Sequence, residues 1–206
     1  MGSVTIYDCE FLTAPGAPQR FWSGPTDPDP LVIQIGAVRL SLEPPYLLSD
    51  ANGWLVTPVD RDGNVVALHP LVTKLTGITD DAIEKAGVAL DRALIALNEF
   101  SEGDTLIAWG KDELLTLAAS LFVQNKTSVI PVHRFRNAVP LVVASGEPAD
   151  VVENLRSHTI CRHFGLPETG SAHDARSDAL SVARVFQYLL NSGRLDARHF
   201  DWPKSA

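Results

Sequence analysis

The residues best able to do chemistry are acids set among apolar neighbours. Residues 4–13 read V-T-I-Y-D-C-E-F-L-T, an apolar run that carries Asp8 and Glu10 two positions apart. Side chains alternate along a strand, so both acids point to one face. Like charges that close repel, and burying either one unpaired is costly. A second acid group, A-W-G-K-D-E at 108–113, stands where a strand hands over to a helix. A third, H-D-A-R-S-D-A at 173–179, opens the last helix. There His173 lies five positions before Asp178, and Asp174 and Asp178 share a face one turn apart. Acids from separate elements can share one site when they hold divalent cations. Mg²⁺ takes hard oxygen ligands, usually carboxylates, waters and substrate phosphates. Two such ions about 3.5–4 Å apart clamp the attacking and leaving oxygens of a phosphoryl displacement. One of Asp8 and Glu10 could then bridge both ions while the other binds one.

The chain that must position these groups has 206 residues, 45% hydrophobic and 20% charged. That suits one ordinary domain with a sizeable core. A net charge of −8 favours solubility and argues against a broad, non-specific nucleic-acid coat. It leaves room for a metal-dependent site, because bound ions add positive charge that a residue count omits. Two cysteines are too few for a disulfide framework, so a reducing, cytoplasmic setting is expected. No segment approaches the 18 or so apolar residues of a membrane span, and the opening residues lack the basic and apolar regions of a signal peptide.

Strands are expected at 4–13, 31–41, 53–59 and 105–109, with 129–135 ambiguous. Residues 14–30, with five prolines and two glycines, read as a long loop. Helices are expected at 79–86, 89–100, 112–123, 151–164 and 174–190. The strands come first in meander order and later alternate with helices. This gives an α/β sheet of mixed direction with helices on its faces. Residues 195–206 read as a polar, aromatic tail, loosely packed against a domain spanning 1–194.

Three ordered motifs carry a resemblance: D-x-E on the first strand, an acid after a central strand, and H-x-x-x-x-D at a late helix. L-V-I-Q-I-G-A-V at 31–38, H-P-L-V-T-K-L-T-G-I-T at 69–79 and W-G-K-D at 109–112 add to it. Together they resemble the DEDDh branch of the DnaQ-like 3′–5′ exonucleases, in the ribonuclease H-like superfamily, over roughly residues 4–190. The resemblance implies a ribonuclease H-like fold with a mixed five-stranded sheet flanked by helices. It implies Asp8, Glu10, Asp112 and Asp178 as ligands of two divalent ions, Mg²⁺ or Mn²⁺, and His173 as the general base on the attacking water. The implied partner is nucleic acid with a free 3′ end, cut to nucleoside 5′-monophosphates; no membrane is implied, and a homodimer stays open. Phe11, Leu75, Thr76 and Trp22 are the implied substrate-binding residues. Leu75 and Thr76 match the segment that packs beside the terminal nucleotide. Phe21 and Trp22 either stack on a base or tack the long loop to the body.

Three departures qualify the match. The family more often has two residues between the glycine and the acid of its second motif. Asp112 gives one, and Glu113 occupies the other register; Asp112 is the preferred assignment. Gln34 stands where relatives often carry Glu, and the 14–30 loop is longer than usual. The rival readings are an inactive nucleic-acid-binding module of the same fold, an endonuclease, and a scaffold with an acidic solvated face.

Overall fold

The computed structural model describes residues 2–202. Strands β1 (Ser3–Phe11), β2 (Val32–Ser41), β3 (Asn52–Leu55), β4 (Thr105–Ala108) and β5 (Phe135–Asn137) form one sheet in the order β3-β2-β1-β4-β5. The first three run as an antiparallel meander, while β4 and β5 lie parallel to β1. The helices are α1 (Pro70–Thr76), α2 (Asp80–Ala86), α3 (Leu90–Phe100), α4 (Asp112–Val123), α5 (Val139–Ala144), α6 (Ala149–Val152), α7 (Ile160–His163) and α8 (Ala175–Asn191). This is the mixed five-stranded sheet flanked by helices that the motifs imply.

The alternation along β1 sorts its side chains between two cores. Val4 and Ile6 join Val38 and Leu40 of β2 beneath α8, together with α5, α6 and α7. Tyr7 and Cys9 face the other way, into a core built with α3 and Leu117 of α4. Asp8 and Glu10 continue the Val4–Ile6 series, so they lie on the α8 face, at the end of the strand where the apolar core runs out. A third, smaller cluster gathers Leu12, Leu31 and Ile33 with Val72 and Ile83 of α1 and α2.

Local chemistry explains several element limits. Thr79 caps α2 by accepting from the Ala82 N–H, and Gly77 ends α1 at φ 73°, the left-handed region that favours glycine. Helix α4 spans the residues expected for it. The stretch 151–164 is not one helix. It breaks into α6 and α7, because Asn154 and Leu155 close turns onto Val151 and Val152 and Ile160 starts a fresh turn. The third strand stops at Leu55 instead of 59; Val56 still donates to Ile33 O of β2 and is bridged on its other side by Val88. Helices α1 and α5, each of six or seven residues, carried too short a pattern to be read.

The expected loose tail folds back onto the body. Leu195 and Phe200 are buried in the α8-side core, with the Phe200 ring edge-on to Phe186 at 5.6 Å. Residues 203–206 of that tail lie outside the described residues. The 14–30 loop is also braced. Arg20 binds both carboxylate oxygens of Asp27, the Gly24 N–H donates to Asp27, and Ala17 is fully buried.

Candidate active site

Helix α8 can bring its acids to the sheet because β2 carries glycine beneath it. Gly36 pairs with Asp8 across β1–β2. A Cβ there would lie 2.2 Å from the Ala175 carbonyl carbon, so only glycine lets the first turn of α8 sit this close. Gln34, paired with Glu10, fixes the same turn from its side chain. Its Oε1 accepts from the Ala175 N–H at 2.9 Å, and its Nε2 donates to Asp174 Oδ1 at 3.0 Å. Asp174 in turn caps α8. Gln34 is therefore a supporting contact, and Asp174 is spent on the cap and on Arg176 and Ser177. Burial pushes Asp174 up, but Arg176, its own N–H and the Ser177 hydroxyl outweigh that and hold the carboxyl below its usual range.

The second acid arrives from the opposite layer. β1 pairs with β4 only over Val4–Ile6, so the last residues of β1 run on beyond their parallel neighbour. After Ala108 the chain turns at Gly110 (φ 91°), whose N–H is held by Asn137 Oδ1 at 3.1 Å, and enters α4. The notch left beside β1 receives Glu113, which is 6% exposed, whereas Asp112 points to solvent. Glu113 is in phase with Thr116, Leu117, Ser120 and Val123, the buried stripe of α4; Asp112 is one step out of phase. The two-residue spacing from Gly110 and this helical phase both pointed to Glu113.

Asp8, Glu10, Glu113 and Asp178 are thus four buried acids from three elements. Among the described residues, none of the four forms an ion pair with Lys or Arg, and one Glu113 oxygen, Oε2, is buried without a hydrogen-bond partner. Burial raises all four carboxyls, with neighbouring acids adding to it. Burial first, then Glu113, Glu10 and Asp178, push Asp8 well above the ordinary carboxyl range. Burial, Asp178, Asp174 and Glu113 lift Glu10 to about 8. Burial lifts Glu113 to about 8 against its own backbone N–H, with Asp112 and Asp178 adding to the rise. Burial also raises Asp178 to about 7, opposed by the His173 N–H that donates to it.

His173 stands at the mouth of this group, half-buried and at φ 61°. Ligand atoms of Glu10, His173 and Asp178 all lie within 4.8 Å of one another. Hard carboxylate oxygens without a protein cation, one of them orphaned, have the chemistry that a divalent metal takes.

The expected substrate-side residues divide. Trp22 donates from its indole N–H to Leu12 O at 3.3 Å and sits edge-on to Phe11 at 5.7 Å, which ties the loop to the end of β1. Phe21 beside it is 85% exposed. The Thr76 hydroxyl donates to Val72 O and accepts from the Ile78 N–H, so it closes α1, while Leu75 stands on the surface.

No protein-family model matches the sequence, and no curated protein matches it. Solved structures do match. The nuclease domain of 3′hExo, a DEDDh family member bound to rAMP, superposes with a TM-score of 0.74 at 17% identity over 93% of each chain. The cell-death related nuclease CRN-4 gives 0.70 at 19% identity over 94% of this chain and 65% of that one. E. coli Exonuclease I in complex with a dA16 oligonucleotide gives 0.59 at 14% identity over 97% of this chain and 42% of that one. At these identities the likeness is one of fold. The chain has the ribonuclease H-like fold that a DEDDh exonuclease and these other nucleases share.

Proposed function

We propose that the protein is a metal-dependent 3′–5′ exonuclease that hydrolyses single-stranded nucleic acid to nucleoside 5′-monophosphates. The observation that carries this reading is the four-carboxylate group at the end of β1, buried and without a protein cation. A scaffold would have no reason to keep four acids at such cost. An ordinary binding module for a polyanion would put positive side chains there.

Asp8, Glu10, Glu113 and Asp178 would hold two divalent ions, Mg²⁺ or Mn²⁺, with Glu113 taking the role the motif first suggested for Asp112. Such ions supply charge that neutralises the scissile phosphate and lowers the pKa of water. The chain's own task is to place and to exclude. The end of the central strand β1 fixes Asp8 and Glu10, Gly36 and Gln34 seat Asp178, and His173 takes a proton from the attacking water at a ring nitrogen. Leu75 and Phe11 present apolar surface for the terminal nucleotide, Trp22 holds Phe11 from behind, and Thr76 shapes the turn that carries Leu75. Phe21 offers a free aromatic face to a base further along the strand.

The test is a digest of 3′- and 5′-labelled single-stranded RNA and DNA with Mg²⁺, Mn²⁺ or EDTA. Stepwise loss from the 3′ end, abolished by EDTA and by Asp8→Ala or Asp178→Ala in folded protein, is expected. Internal cuts, or full turnover by either variant, would refute it. The arms with RNA and with DNA decide which polymer is preferred.

A further inference from the structure

We propose that His158 is a positioning residue for the reaction, its imidazole forming the surface against which the His173 ring is held. The inference rests on the nuclease reading and deepens it by naming what orients the general base.

A catalytic imidazole is ordinarily oriented by a group that accepts its second ring N–H. His173 has no such partner. Among the described residues its ring nitrogens make no hydrogen bond; its backbone N–H alone is engaged, by Asp178 Oδ2 at 3.3 Å. The backbone does not fix the ring either, because the residue sits at φ 61° in the turn leading into α8, after Gly170 at φ 142°. What the His173 ring does touch is another ring. The His158 centroid lies 5.1 Å away, with the planes tilted by 42°. That separation is within the range of favourable aromatic contact.

His158 is well placed to serve as a fixed wall. It lies in the short connection between α6 and α7, which is bonded at both ends: Asn154 and Leu155 donate back to Val151 O and Val152 O where α6 stops. The Thr159 and Ile160 N–H groups both donate to Arg156 O, at 3.0 and 2.9 Å, and Ile160 is fully buried. The same connection is tied to β4, because the Trp109 indole N–H donates to Leu155 O at 3.3 Å. Trp109 is followed at once by Gly110 and the start of α4, which carries Glu113. One strand end therefore sets both the fourth carboxylate and the wall behind the base. The loop of His173 needs no stiffness of its own, provided that wall stands.

The experiment compares wild type, His158→Ala, His158→Phe and His173→Ala. It combines steady-state kinetics on a labelled oligonucleotide, Mn²⁺ affinity by calorimetry, and NMR of the imidazole resonances. His158→Ala is expected to lower kcat by about tenfold or more through misplacement of the base, with KM and Mn²⁺ affinity unchanged. His158→Phe, which keeps a ring in place, is expected to restore kcat to within about threefold. The His173 ring resonances should lose their ring-current shift and sharpen in the alanine variant and recover in the phenylalanine variant. The proposal is overturned if His158→Ala leaves kcat and the His173 resonances as in wild type. It is equally overturned if His158→Phe is as impaired as His158→Ala, since imidazole chemistry and not ring contact would then be needed. A wild type that cuts no oligonucleotide, or a fully active His173→Ala, defeats the nuclease reading instead, while the NMR comparison still decides whether His158 holds the ring.

Discussion

Gly36→Ala perturbs the site without touching any acid. The added Cβ would stand 2.2 Å from the Ala175 carbonyl carbon and 2.3 Å from Ala175 O and Arg176 N, where ordinary contact begins at 3.4 Å. The obstacle is backbone at the start of a 17-residue helix, so it cannot swing aside. The first turn of α8 must withdraw by roughly 1.2 Å to restore ordinary contact. Asp178 lies in that turn, and His173 immediately precedes it. The two Gln34 hydrogen bonds to the helix start, at 2.9 and 3.0 Å, would stretch beyond useful length. Overpacking of this kind costs about 1–3 kcal/mol, which for a domain of this size lowers Tm by roughly 2–12 °C. A displacement of this order at reacting groups costs about 10²-fold in rate. The matched control is Gly53→Ala on β3, opposite Gly36 in register. Its Cβ would meet Arg176 Cγ and Cδ at 2.6 Å, part of a half-exposed flexible side chain that can move away. Calorimetry and nucleotide release at saturating Mg²⁺ should show Gly36→Ala impaired in both, and Gly53→Ala within about 1 kcal/mol and a few-fold of wild type. A Gly36→Ala protein with wild-type Tm and turnover would refute the claim that close packing of α8 on β2 sets the site.

Other outcomes follow from the same geometry. Glu113→Gln should lower turnover by at least about 10²-fold and weaken Mn²⁺ binding, whereas Asp112→Asn at the exposed position should stay within a few-fold, as measured by rate and calorimetry. Metal-free protein should lose stability as pH rises. Carboxyls near 8 in Glu10 and Glu113 and near 7 in Asp178 bind more protons folded than unfolded. Their contribution is complete below the unfolded value of about 4 and disappears as pH passes through 7–8. Thermal melts in EDTA from pH 5 to pH 9 check this, and added Mn²⁺ should reverse the trend. Metal affinity should strengthen over the same interval, with a slope above one proton per ion below pH 7, since more than one carboxyl must release its proton. Phe21→Ala should raise KM for oligonucleotides several-fold with kcat and Tm unchanged, because the ring is 85% exposed and supports nothing beneath it.

How much of this was legible in the sequence differs by element. The acids of β1 could be read because strand alternation admits one geometry, and Asp178 and His173 because they frame a long, strongly periodic helix. The mixed sheet followed from the succession of strands and helices, and its five strands from the family resemblance. For the second acid the motif favoured Asp112, whereas the structure buries its neighbour Glu113. Asp112 looks like the end of a motif, but burial of Glu113 is decided by the phase of Leu117 and Val123 further along α4, information that a local reading underweighted. The break at 153–159 was hidden because its apolar residues keep a helical rhythm, although the chain turns twice between α6 and α7. The packed tail was missed for the opposite reason. Leu195, Phe200 and Trp202 are scattered among polar residues without a helical or strand period, and the place of Phe200 against Phe186 depends on tertiary contact alone. Nothing in the sequence pairs His158 with His173, which lie 15 positions apart in separate turns.

The end of β1, paired with β2 but running past β4, has a consequence for how the protein comes together. Asp8 and Glu10 lie on one side of the sheet with α8, while Glu113 enters from the side of α3 and α4, around the place where β4 falls short. The α8 layer carries Asp8, Glu10, Asp178 and His173, and only Glu113 is left to the other. A chain without the α3–α4 layer docked would lack one carboxylate, so cation affinity during refolding should rise in two steps, the second reporting that both layers have closed on the sheet.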